Sequence, residues 1–155
     1  MSEKHGLNIG DICPSFKLNN QKGLEVNIDN YLGKHFLLIY FYPKDQTYGC
    51  TKQACSFRDA YDEFLNYDCK VFGISSDSTE SHDKFSDKHQ LNFDILADIN
   101  DEVRDDLFGV PKNLFGLVKG RVSYLINKEG KICWMFNSQV NANKHISEAL
   151  SFFKK

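Results

Sequence analysis

The chain has 155 residues, which suits one domain and leaves little room for a second. Its residues are 41% apolar and 14% aromatic, enough to fill a core without disulfide staples, so composition argues against disorder. Nineteen Lys and Arg against 21 Asp and Glu give a formal net charge of −2, which leaves no basic excess to hold a nucleic acid or an anionic membrane. Residues 1–155 are therefore expected to form a single domain, with no nucleic acid and no membrane among its partners.

The opening residues, Met1 to Asn8, lack the apolar core of a signal peptide. The longest apolar run, Phe36 to Tyr42, is seven residues, far short of the ~20 that span a bilayer. These features lead to an expectation of a cytoplasmic protein, or a plastid one if a targeting segment has been removed. Cysteines stand at 13, 50, 55, 69 and 133. An odd number in a chain that stays inside the cell points to a reactive thiol rather than a disulfide framework.

In chain order, Phe36 to Tyr42 reads as a central strand buried on both faces and stopped by Pro43. From Thr51 to Tyr67, Ala54, Phe57, Tyr61, Phe64 and Leu65 recur at helical spacing. Val71 to Ile74 is a second strand. Asp77 with Glu80 resembles a capping box opening a polar helix towards Gln90. A short strand follows near Ile95 and Leu96, then a short helix near Glu102 to Leu107 and a loop carrying Pro111. Arg121 to Ile126 is a strand, Asn127 to Lys131 a hairpin turn, and Ile132 to Phe136 the returning strand. Ile146, Ala149, Leu150 and Phe153 mark a last helix. Strands alternating with helices, then a hairpin and a helix, predict an α/β sandwich with a mixed sheet.

The chemistry concentrates between Phe41 and Cys55. A buried strand ends at Pro43, a polar loop turns the chain, and Cys50 falls in the first turn of a helix. Unpaired amides and the positive end of the helix dipole favour a thiolate there. A thiol titrating near 8.5 is about 3% ionised at pH 7, and one shifted to about 6 is about 90% ionised. Thr47, three residues earlier, can donate its hydroxyl to the sulfur or to an oxygen bound beside it. Cys55 lies five residues on. In an intact helix its Cα would stand ~8–9 Å from that of Cys50, beyond the ~7 Å a disulfide tolerates. Either the first turns unwind to let the two bond, or Cys55 packs against the core.

Other constellations are weaker. No Cys-x-x-Cys occurs, the histidines at 5, 35, 82, 89 and 145 show no ligand spacing with the cysteines, and no phosphate-binding glycine loop is present. No metal is expected. Arg58 and Asp62 are spaced as a solvated i, i+4 pair. Cys69 and Cys133 suggest packing residues, Cys13 is ambiguous, and Trp134 suggests core or edge cover.

The chain resembles the peroxiredoxins of the bacterioferritin-comigratory or peroxiredoxin Q subgroup. The likeness rests on Gly10-Asp11 with Pro14 and Phe16, on Phe41-Tyr42-Pro43-Lys44-Asp45, and on Gly49-Cys50-Thr51-Lys52-Gln53-Ala54-Cys55 with Phe57-Arg58-Asp59. It continues through Gly73-Ile74-Ser75, Phe108-Gly109-Val110-Pro111, Leu114-Phe115-Gly116 and Gly120-Arg121. The resemblance implies a thioredoxin-like fold, a central mixed sheet flanked by helices on both faces. It implies a thiol peroxidase for hydrogen peroxide and organic hydroperoxides, with Cys50 as the peroxidatic cysteine and Cys55 as the resolving one. Pro43 would shield the thiolate, Thr47 would hydrogen-bond the peroxide, and Arg121 would close the pocket. A Cys50–Cys55 disulfide would be reduced by thioredoxin or a similar dithiol, with no cofactor, in a monomer. The same switch could instead serve a redox sensor or interaction protein. Tyr48 stands where the family usually has Pro, Cys13 where it has a small residue, and Gln53 where many relatives have Glu.

Overall fold

Every residue of the strand Phe36–Phe41 is apolar, and such a strand must be covered on both faces. The computed structural model, which describes residues 6–113, 116 and 118–155, places it inside a seven-stranded mixed sheet. The strands are β1 (Lys17–Asn20), β2 (Glu25–Asn27), β3 (Phe36–Phe41), β4 (Cys69–Ser75), β5 (Asp94–Ala97), the short β6 (Lys112–Asn113) and β7 (Val118–Lys119), β8 (Val122–Ile126) and β9 (Ile132–Asn137). The order across the main sheet is β2-β1-β5-β4-β3-β8-β9, with β6 and β7 paired separately. The alternation of a strand sorts β3 between two cores. Leu37, Ile39 and Phe41 enter one, and Leu38, Tyr40 and the following Tyr42 enter the other.

Three helices complete the fold: α1 (Tyr48–Asn66), α2 (Thr79–His89) and α3 (Lys144–Lys154). β3, β4 and β5 are parallel neighbours and step one way across the sheet. Right-handed crossovers then put α1 and α2 on the same face, and α3 joins them there over Leu38, Tyr40 and Leu125. The other face is covered more thinly by the N-terminal segment, the 3-10 turn Ile28–Asn30 and a π-helical segment, Glu102–Phe108. Helices thus flank both faces, unequally.

The expected central strands, the hairpin and the last helix are all present. α1 begins at Tyr48, earlier than the periodicity predicts, because Thr47 adopts the extended cap conformation and its carbonyl takes the Thr51 N–H at 2.8 Å. The capping box predicted at Asp77 is corrected. Ser78 is the cap of α2, accepting from the Ser81 N–H, while the Asp77 carboxylate turns inward to Ser75 and Asp45. β1 and β2 escape sequence reading because each is short and mostly polar, with Leu18 and Val26 as their apolar residues, and they form the outer end of the sheet beside β5. Leu114 and Phe115 of the family-like loop lie outside the described residues.

Candidate active site

Cys50 is the third residue of α1 and is 1% exposed, held with Ala54 and Phe57 against Tyr40 and Tyr42. The amides of this first turn have no partner inside the helix and point towards the approach from the Pro43–Thr47 loop. Pro43 is half-buried, and Thr47 is exposed at the head of the helix. The Thr47 hydroxyl donates to the Lys44 carbonyl at 3.0 Å. Between them Gln46 has φ of 65°, a left-handed conformation that costs a non-glycine residue about 1 kcal/mol and persists only where neighbours enforce it.

Arg121, just ahead of β8, is drawn to the same place. Its Nη1 donates to Gln53 Oε1 at 2.6 Å and its Nε to the Gln139 carbonyl at 3.1 Å. Nη2 lies so close to Gly49 that a Cβ there would sit 2.9 Å from it. The glycine before Cys50 therefore lets a buried cation approach the helix start. Both segments are tied at their roots by Arg104, itself 1% exposed. This side chain comes from the π-helical segment and donates to the carbonyls of Tyr42 and Gly120, each at 3.0 Å. Those carbonyls immediately precede Pro43 and Arg121.

Cys55 sits on the same unbroken helix, half-buried, with Arg58 Nη1 3.6 Å from its sulfur. It borders a cleft of about 470 Å³ between Tyr48, Lys52, Lys88 and His89. Tyr48 is 83% exposed. The pairing expected of Arg58 with Asp62 is corrected. The guanidinium turns to Asp59 at 2.9 Å and to the His89 carbonyl at 2.7 Å, tying the middle of α1 to the end of α2.

All five cysteines are free thiols. Burial pushes the Cys13 thiol up to about 12, with Asp29 adding to the effect. Burial likewise raises Cys133 to about 11 and Cys69 further still. Cys13 packs in the opposite core, across the sheet from Cys50. Trp134 is half-buried on β9, stacked on Phe136.

Sequence reasoning missed the network that anchors the loop. The buried Asp45 carboxylate meets Tyr42 OH at 2.6 Å, Ser81 OH at 2.8 Å and His82 Nδ1 at 2.6 Å. His82 Nε2 faces the Leu96 carbonyl at 3.0 Å, so the ring is held at both nitrogens. Asp77 Oδ2 accepts the Asp45 N–H at 2.8 Å and the Ser75 hydroxyl at 2.6 Å. Candidate ligand atoms of Asp45, Asp77 and His82 lie within 4.8 Å of one another, but hydrogen bonds within the network already occupy them. Asp45 and Gln53 stood inside the sequence motif as polar residues. Their burial is the signal that marks them, and it appears only in the folded chain. Among the described residues no helix is long and apolar enough to cross a membrane.

The AhpC/TSA family model matches residues 9–135. The chloroplastic peroxiredoxin Q of Sedum lineare is 43% identical over 94% of this chain and 77% of its own length. The peroxidoxin BcpB of Mycobacterium tuberculosis superposes with a TM-score of 0.85 at 29% identity, covering 94% of this chain and 96% of that one. The bacterioferritin comigratory protein of Xanthomonas campestris, whose alkyl peroxide reduction activity has been studied structurally, gives 0.77 at 31% identity over 90% and 92% of the two chains.

Proposed function

Because the chain belongs to the AhpC/TSA family, among its peroxiredoxin Q proteins, and is a thiol peroxidase, we propose that Cys50 is its peroxidatic cysteine and Cys55 its resolving one. The observation that carries this assignment is Arg121, buried and held by Gln53 and Gln139 with its guanidinium against Gly49, one residue before the only cysteine in a helix first turn.

The Cys50 thiolate attacks the terminal oxygen of the peroxide, the O–O bond breaks, and the alkoxide leaves to take a proton from solvent. Arg121 and the amides of the helix start stabilise the charge that develops on the departing oxygen. Thr47 has its hydrogen committed to Lys44, so its lone pairs accept from the peroxide O–H. Pro43 covers the thiolate from the loop side. Cys50 is left as a sulfenic acid. Since α1 is continuous through both cysteines, its first turns unwind for the Cys55 thiolate to attack the Cys50 sulfur, closing the disulfide as the S–O bond breaks and hydroxide leaves to take a proton from solvent. Thioredoxin or a similar dithiol then reduces that bond by exchange.

Hydrogen peroxide and small organic hydroperoxides are the substrates, and the working unit is a monomer of one thioredoxin-like domain that spans residues 1–155. The chloroplastic relatives support testing a plastid beside the cytoplasm as its compartment. NADPH consumption coupled through thioredoxin reductase and thioredoxin tests the assignment. Cys50→Ser should abolish turnover, and Cys55→Ser should leave one oxidation per chain but no cycling. Undiminished cycling in Cys55→Ser would place the resolving thiol elsewhere.

A further inference from the structure

The reaction assigned to Cys50 needs Thr47 in one orientation, and the structure shows what sets it. The Lys44 carbonyl and the Asp45 N–H belong to one planar trans peptide, so they point in opposite directions. The carbonyl takes the Thr47 hydroxyl proton at 3.0 Å. The N–H on the other side is taken by Asp77 Oδ2 at 2.8 Å. Asp77 is fixed in turn, because Ser75 OH donates to the same oxygen at 2.6 Å and the Asp77 N–H reaches back to Ser75 Oγ at 3.3 Å. On the far side of the plane the Asp45 side chain is pinned by Tyr42, Ser81 and His82. Gln46, the next residue, has φ of 65°.

We propose that Asp77 is a positioning residue for peroxide reduction: by holding the Asp45 N–H it fixes the Lys44–Asp45 peptide plane, whose carbonyl commits the Thr47 proton and leaves the Thr47 lone pairs to receive the peroxide O–H. Without Asp77 the plane can rotate, the Lys44 carbonyl leaves the hydroxyl, and Thr47 is free to present a hydrogen where the substrate also presents one. Asp77 touches neither the sulfur nor the peroxide. Its effect passes through Thr47, which separates this role from a merely structural one.

The test rests on the assignment of Cys50 and uses the whole chain. The rate of Cys50 oxidation by hydrogen peroxide is measured by competition with a haem peroxidase in wild type, Asp77→Ala, Asp77→Asn, Thr47→Val and the Asp77→Ala/Thr47→Val double variant. Misplacing a reacting group by about an ångström costs up to about a hundredfold, so Asp77→Ala should slow oxidation about ten- to a hundredfold. Asp77→Asn, whose amide oxygen still accepts the Asp45 N–H, should stay within about threefold of wild type. The double variant should be no slower than Thr47→Val alone, because both changes remove the same interaction. Ser75→Ala removes the hydroxyl that holds Asp77 and should give a smaller loss of the same kind, which keeps the test open if Asp77→Ala does not fold. A rate within twofold of wild type in Asp77→Ala, full additivity with Thr47→Val, or equal losses in Asp77→Asn and Asp77→Ala would each overturn the proposal. A wild-type chain inert to peroxide would instead overturn the assignment of Cys50.

Discussion

Cys50 and Cys13 are nearly equal in burial, 1% and 3% exposed, and they lie on opposite faces of one sheet. Around Cys13 stand Phe16, Ile28 and the carboxylate of Asp29, and both burial and charge hold it as a thiol. Around Cys50 stand the unpaired amides of a helix first turn and, against the preceding residue, a guanidinium with fixed partners. The difference is one of charge and backbone dipoles, not of solvent access. A buried cysteine is inert by default, and it becomes a nucleophile where the fold supplies positive potential that water would otherwise have to provide.

The sharpest way to break that comparison is to exchange the two thiols' fates. Cys50→Ser should remove peroxidase activity by more than about a thousandfold, while Cys13→Ser stays within about twofold in the same coupled assay. Equal losses would show that burial, and not the surroundings, decides. Next in size, if Arg121 serves as proposed, Arg121→Ala should lower the rate of Cys50 oxidation by about a hundredfold through loss of one donor to the developing charge. Competition kinetics read this directly, and a change under threefold would remove Arg121 from the chemistry. Gly49→Ala should act in the same direction but less, about tenfold, because the added methyl meets Arg121 Nη2 at 2.9 Å and the flexible guanidinium can retreat. An Arg121→Ala background should erase that effect.

The smallest expected effect is on stability. His145, buried in the first turn of α3, accepts from Ser123 OH through Nδ1 and donates from Nε2 to the Ser138 carbonyl. Burial, and to a lesser degree Arg121, lowers its pKa from 6.5 to about 4, so the folded chain keeps it neutral. The unfolded chain binds a proton there at about 6.5 and the folded chain does not. Stability is therefore full above pH 6.5 and falls as the pH drops towards 4, by about 2 kcal/mol at pH 5. Thermal melts at pH 7 and pH 5 should show that loss in wild type and a shallower one in His145→Gln. Parallel losses in the two would assign the acid sensitivity to other groups.

Much of this site is legible in the chain. The loop from Pro43 to Cys55 is local: a strand end, a turn and a helix start follow one another in sequence, and their chemistry can be read in order. The buried β3 and the apolar face of α1 are legible for the same reason, since each carries a strong pattern of its own. β1 and β2 carry none, and they exist because β5 and the neighbouring core offer them an edge. Sequence alone does not separate Asp77 from Ser78 as the cap of α2, because both are good caps by type; in the fold Asp77 accepts the Asp45 N–H and Ser78 caps the helix.

By itself, then, the sequence determined the fold class, the strand that carries the loop, the helix that presents Cys50, and the likeness to a family. Tertiary structure alone decided which distant groups meet there. Arg121 arrives from 71 positions beyond Cys50 because β8 pairs with β3 in the register that sets Phe41 opposite Val122. Arg104 reaches the carbonyls of Tyr42 and Gly120 because a π-helical segment packs on the opposite face beneath them. His82 and Asp77 reach the loop because α2 follows β4 at the same end of the sheet. Local pattern fixes what each segment is, since propensity and amphipathicity act over a few residues. Charge and hydrogen bonding act over a few ångströms of space, and only the packed sheet brings those residues within that range.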